Sequence, residues 1–351
     1  MSNNNVKEIQ IKPNEQIENC SFVKTILMLL IIIYHSCAFW TSDWFTRDPV
    51  KSNSILIWIS KYLNSFHIYG FVLVSGYIYS FARSELGKYS DVRSFILLKV
   101  KRLLIPYCFV VLIYVIPIQQ YFFSNPLSII VKNYIVAENP NQLWFLWMLF
   151  DVFMLFRLLE NVINKNKISL ALSIMISECI FIVCMGRIPN CFQVIRAFQF
   201  LPLFILGYAM QKKVINVWRI EWYIWFIADI GLFIVYECVD CDVSLLQKIM
   251  HYGIGFVLNI VGAITAWVCL QKISLWLSYK DNNVFKLLSK YSMPMYLFHQ
   301  QIIYFPITAL NGVIHPILLA FICFCTSLLG SILISSVFMH WKTTRMLIGE
   351  K

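Results

Sequence analysis

Apolar runs of roughly 20 residues recur along this chain, long enough for a helix to cross a hydrocarbon core of about 30 Å. The first runs on from Phe22 through "LLIIIYHSCAFW", Leu29 to Trp40. These runs are continuous and do not alternate, which argues against a β-barrel. Only 13% of residues are charged and 59% are hydrophobic, against roughly 25% charged in a soluble domain. The expected fold class is therefore all-α, a polytopic integral membrane helical bundle. Length and apolarity give about ten spans, near 20–40, 63–83, 103–122, 142–160, 168–186, 194–211, 221–238, 252–271, 290–309 and 316–339. Lys61 interrupts "SILIWISKYLNSF", so the second span is placed after it.

The basic residues orient these spans. The N-terminus and every second loop together hold 22 of the 29 Lys and Arg residues, and the opposite side holds 7. The positive-inside rule puts the richer side, and with it both termini, in the cytoplasm. The net charge of +11 then reads as topology and contact with anionic membrane lipids, not as nucleic-acid binding. The polar N-terminus lacks the pattern of a cleaved signal peptide, so the first helix is expected to stay in the membrane. No loop exceeds about 20 residues. One membrane domain, 20–340, is expected between tails at 1–19 and 341–351. The eleven cysteines form no CxxC and no zinc spacing, and no metal is expected. Cys238 and Cys241 share one short loop, where a bridge is open.

Ionisable groups within spans are costly and mark candidate sites. Three histidines qualify, His35, His67 and His299, while His251, His315 and His340 sit at span ends. Lys24 lies eleven residues before His35, three helical turns plus about 20°, so the two share one face about 16 Å apart. That face runs from a cation at the cytoplasmic mouth to an imidazole at depth, which suits an anionic ligand entering from the cytoplasm. The rival role for each histidine is a bond to a neighbouring helix. Pro294, below His299, is expected to loosen its helix and open a cavity, with Gln300 and Gln301 adding a polar patch. Ser75 and Gly76 read as small residues for close helix packing. "RSFILLKVKRLLIPY" holds Arg93, Lys99, Lys101 and Arg102, a headgroup contact or a phosphate clamp. Trp144 and Trp147 open the fourth span as an aromatic belt or a ligand surface.

Taken in order, these stretches resemble the acyltransferase-3 family of bacterial integral-membrane acyltransferases. "FVKTILMLLIIIYH" resembles its first helix, "FHIYGFVLVSGY" its "FHMPLFFFISGY" segment, and "KVKRLLIPY" its basic element before "LLIPY". "LWFLWMLF" resembles "LWFLPALF", and "YSMPMYLFH" resembles "YSYGIYLLH". Together the five stretches span residues 22 to 299. The resemblance implies transfer of an acyl group, most often acetyl, from cytoplasmic acetyl-CoA or another acyl-CoA. The implied acceptor is a hydroxyl of a cell-surface polysaccharide or its lipid-linked precursor, and the implied location is the bacterial inner membrane. His35 falls on the essential histidine, and Lys24, Lys99 and Arg102 on basic positions linked to function. Lys101 joins them as an expected phosphate ligand, and His67, Trp144 and His299 are expected to face substrate.

Two positions depart from the family pattern. Ile32 stands where many members carry an acidic residue three positions before the histidine, so no Asp–His pair can form within this helix. Lys99 stands where Arg is common, which weakens a bidentate phosphate contact. Some relatives add an extracytoplasmic hydrolase-like domain, for which these loops leave no room. The mechanism expected is general-base or acyl-carrier chemistry by His35. Burial favours the neutral ring that both roles require. Cys37, about 200° round the helix from His35, is a poor partner for it. The alternatives are an exporter of glycan or lipid-linked intermediates and a glycan polymerase. Sparse intramembrane charge, chiefly Asp151 and Asp229, speaks against the first, and short outer loops against the second.

Overall fold

The computed structural model describes residues 13–41, 45, 47–239, 245–277, 279 and 282–350. There is no strand among them. Among the described residues, long helices overlap the expected segments. They are α1 Pro13–Ala38, α2 Ser54–Ser84, α3 (92–123), α4 Trp144–Ile163 and α5 Lys167–Cys184. There follow α6 Val194–Gln211, α7 Trp222–Cys238, α8 Leu245–Trp276, α9 Ser292–Leu310 and α10 Pro316–Phe338. Among the described residues six stretches are long and apolar enough to cross a membrane: Ile17–Thr41, Asn141–Ile163, Lys167–Cys184, Cys191–Gln211, Leu246–Trp276 and Pro316–Phe338. The chain is an all-α, multi-pass membrane protein.

Helix ends depart from the expected ones for local reasons. α2 begins before Lys61, because the Asn53 side chain caps it by accepting the Leu56 N–H at 3.1 Å. Lys61 does not break the helix; its ammonium reaches Glu237 at the end of α7. α3 begins at Val92 because Asp91 accepts the Arg93 and Ser94 N–H groups at 3.3 and 2.8 Å. It runs through two π-type turns, Val100–Leu104 and Val111–Val115. Pro294 does not loosen α9. It sits in the first turn, where its missing N–H is not needed. His315 caps α10, its Nδ1 accepting the Ile317 N–H at 3.3 Å. Cys241, one of the two cysteines whose bridge the sequence leaves open, lies outside the described residues.

α2 is the central post, packed against α1, α6 and α8. α6 also meets α4 and α5, and α1 also meets α8, α9 and α10. α5 and α10 lie outermost. They expose Ile168, Leu172 and Met175 on one side and Phe321, Leu329 and Leu333 on the other, which is what lipid contact requires.

The crossing of α2 and α6 is the tightest contact. A Cβ at Gly76 would lie 2.1 Å from the Phe204 carbonyl oxygen, and one at Gly207 would lie 1.9 Å from that of Leu73. Backbone meets backbone there, as small residues allow in membrane helices. Gly76→Ala should destabilise the fold by about 1–3 kcal/mol or more. Gly231→Ala, where a Cβ meets nothing within 4 Å, should not. Thermal unfolding of the purified variants in detergent measures both.

Candidate active site

The three histidines singled out from the sequence converge from three helices. His35 of α1 and His299 of α9 have ring centroids 4.9 Å apart. Tyr34 joins them to α2, its ring 4.7 Å from both His35 and His67. His67 and His299 are fully buried at 0% exposure, while His35 keeps some accessible surface. The charges of His67 and His299 both bear on His35.

Local bonds set how two of these rings present themselves. His299 Nδ1 lies 2.8 Å from the Tyr296 carbonyl and 3.1 Å from that of Met295, and His67 Nδ1 lies against the Leu63 carbonyl. A carbonyl only accepts, so each Nδ1 carries the proton and each Nε2 keeps its lone pair. Neither Nε2 has a hydrogen-bond partner. The backbone of α9 at this point is held from both sides. Tyr114 donates to the Phe298 carbonyl and Ser327 to the His299 carbonyl, both at 2.8 Å. Gln301, part of the expected polar patch, pairs its amide reciprocally with that of Gln142 at 2.6 and 2.9 Å. That pair is structural: it ties the start of α4 to α9 beside His299.

A second group is cationic. Lys24, Lys99 and Arg102 act on one another electrostatically, although they come from α1 and α3. Lys24 sits over the Phe71 ring at 5.2 Å. Lys99 sits over Phe153 at 3.3 Å, with Tyr89 and Phe95 at 5.2 and 5.4 Å. Among the described residues none of the three cations is in an ion pair with a carboxylate, and Arg102 feels the charge of Glu350 only at longer range. Lys101 is exposed, as Arg102 is, whereas Lys24 and Lys99 are half-buried. The first π-type turn of α3 covers Lys101 and Arg102, a local distortion common at functional sites. Mutual repulsion without a counter-ion is costly, and a bound anion would relieve it.

The wall of this cationic group depends on Glu160, which the sequence reading missed. Its carboxylate is 4% exposed and accepts from Arg83 Nε at 2.8 Å, from the Arg157 guanidinium and from the Tyr79 hydroxyl at 3.2 Å. Arg83 and Arg157 then donate to the carbonyls of Tyr89 and Ser90 at 2.9 and 3.4 Å. Tyr89, so held, stacks on Tyr79 and faces Lys99. In sequence Arg83 and Glu160 are 77 positions apart and carry no shared motif.

Trp144 lies at the start of α4. Its ring packs on Phe200 at 5.6 Å and carries the Arg196 guanidinium at 4.4 Å. The expectation of sparse intramembrane charge also needs correcting. Besides Asp151 and Asp229, Glu178 lies mid-helix in α5, with one carboxylate oxygen buried and unpartnered. Among the described residues no group of three His, Cys, Asp or Glu side chains could hold a metal ion.

One helix of this membrane protein, α1, thus carries both a histidine centre and a cationic group without a paired carboxylate among the described residues. The chain matches the acyltransferase-3 family, described as an acyltransferase domain, over residues 19–336. It belongs to that family and is a membrane acyltransferase. No curated protein and no solved structure matches it.

Glu160→Gln removes the carboxylate that two guanidiniums share. The loss should lie near the lower end of about 3–5 kcal/mol, because the Arg83 side chain is 31% exposed. Thermal unfolding checks this, and increased hydrogen exchange across 85–91 should accompany it.

Proposed function

We propose that this protein moves an acyl group, acetyl in the first instance, from cytoplasmic acyl-CoA to a hydroxyl of a cell-surface polysaccharide or its lipid-linked precursor. It would do so as a multi-pass O-acyltransferase of the bacterial inner membrane, with both termini in the cytoplasm. The observation that carries the proposal is the pairing of two groups on α1. At one end Lys24 joins Lys99 and Arg102 without a paired carboxylate; further along, His35 meets His299. The phosphates of coenzyme A suit the first group and a reactive thioester suits the second.

The chemistry then follows. His35 takes the proton of the acceptor hydroxyl as its oxygen attacks the thioester carbonyl. The new C–O bond forms, the C–S bond breaks, and the departing thiolate recovers the proton from the imidazolium. In the acyl-carrier variant the imidazole attacks first, and the acceptor hydroxyl then displaces it. His299 and His67, with Nε2 lone pairs and no partners there, are suited to accept a hydrogen bond from His35 or from the acceptor. Among the described side chains an imidazole thus stands beside His35 where Ile32 excludes the carboxylate common in relatives. An exporter of glycan intermediates gains no support from the family match.

His35→Ala should lower acyl transfer roughly a hundred- to ten-thousand-fold with the protein still folded. The assay is acetyl-CoA-dependent O-acetylation of surface glycan, and undiminished acetylation of verified protein would overturn the proposal. Lys99→Ala should raise the acyl-CoA KM about tenfold or more, the worth of a charged hydrogen bond. Lys101→Ala, a residue exposed as Arg102 is, should raise that KM less than Lys99→Ala does, and steady-state kinetics on the pair tests the membership of the phosphate site.

A further inference from the structure

The histidine centre leaves unused a cavity of about 640 Å³ between α2, α5, α6, α7 and α8. It is lined by the N-terminal halves of α2, α6 and α8 and the C-terminal halves of α5 and α7. That places it in the half of the bundle away from Lys99, since Arg83 and the Lys99 wall lie at the other end of α2. It also lies across α2 from the histidines. Tyr69, which lines it, is two residues from His67 and so about 200° round the helix.

Its lining is polar where lipid-facing helix would be apolar. The Glu178 side chain reaches it with one buried carboxylate oxygen lacking any hydrogen-bond partner. His251 does the same with Nδ1, its ring packed on Tyr236 at 4.1 Å. The Tyr69 hydroxyl accepts from Gln199 at 3.3 Å and also bonds with Asn259. A carboxylate left unpaired in an apolar bundle is costly unless water or ligand satisfies it.

The charge balance selects among ligands. Lys61 pairs with Glu237 within the lining itself, and the remaining lining charges, Glu178 and Lys248, are opposite in sign. The lining residues therefore carry no net formal charge, unlike the group of Lys24, Lys99 and Arg102, and favour a neutral ligand over a phosphate. The lining offers acceptors (Glu178, His251), donor-acceptor amides (Asn64, Gln199, Asn259) and flat aromatic faces such as Tyr252. The volume falls within the roughly 300–1,000 Å³ of ligand pockets. Vicinal hydroxyls that both donate and accept, on a ring with apolar C–H faces, meet all of these requirements.

We infer that this cavity is a binding site for a neutral, polyhydroxylated ligand of the carbohydrate class, separate from the histidine centre. Binding itself stands on the cavity alone. The ligand's role rests on the acyl-transfer reading above, under which the site holds sugar units of the acceptor other than the one acylated.

The test uses the full-length protein in phospholipid nanodiscs and saturation-transfer NMR. The probes are neutral disaccharides (maltose, lactose, cellobiose and N,N′-diacetylchitobiose) and, for contrast, a disaccharide containing glucuronic acid. At least one neutral disaccharide should bind. Its Kd should rise tenfold or more in Glu178→Gln, which preserves shape, and in Asn259→Leu. Should Asn259→Leu fail to fold, the isosteric Glu178→Gln decides alone. His35→Ala should bind the sugar as the wild type does. Absence of any neutral disaccharide binding, preference for the anionic one, or binding unchanged in Glu178→Gln would overturn the inference. If instead His35→Ala keeps acyl transfer, the transfer mechanism fails while the cavity assignment stands.

Discussion

The backbone contact between α2 and α6 at Gly76 and Gly207 is the constraint on which the rest of the bundle depends. With no side chain on either glycine, each helix presses on the other's carbonyls. Lipid supplies no hydrophobic drive to bring helices together, so this close fit does the work that core burial does in water. Because α2 is pinned there, its two faces serve different purposes. One carries His67 to Tyr34, His35 and His299. The other carries Tyr69 to the cavity with Glu178 and Asn259. At its far end Arg83 holds the turn that shapes the surroundings of Lys99.

Charge is handled in two opposite ways within this one fold. At Glu160 the chain satisfies a buried carboxylate completely, with two guanidiniums and a tyrosine. At Lys24, Lys99 and Arg102 it gathers like charges against aromatic rings and supplies no paired acid. The first arrangement fixes structure. The second is stable only to the extent that aromatic faces and solvent offset repulsion, and it therefore favours an incoming anion. The two are physically joined, since the arginines that satisfy Glu160 also hold the backbone of Tyr89, whose ring faces Lys99.

Much of the site was legible because periodicity and apolarity make exceptions conspicuous. An imidazole in "LLIIIYHSCAFW" stands out against its neighbours, and the eleven-residue spacing to Lys24 is a helical fact. His67 and His299 stood out in the same way. What adjacency did not show is that Lys99 is half-buried against aromatic rings while Lys101 and Arg102, in the π-type turn that follows, are exposed. Pro294 was misjudged because its effect depends on where α9 begins. Lys61 was misjudged because its partner, Glu237, lies on a helix far along the chain.

The sequence by itself determined the class of fold, the family and the identity of the polar residues placed where lipid would not allow them. Those follow from local properties, the length of apolar runs and the cost of ionisable groups within them. Only the tertiary structure decided which of those residues meet. It brought three histidines from α1, α2 and α9 together, set two of the rings through backbone carbonyls one turn away, and gathered Glu178 with His251 and Asn259 in a second cavity. The physical reason is that each meeting depends on the rotation and crossing of whole helices. In this bundle those are set by backbone contacts such as Gly76 against Phe204, which no pattern along a single helix encodes.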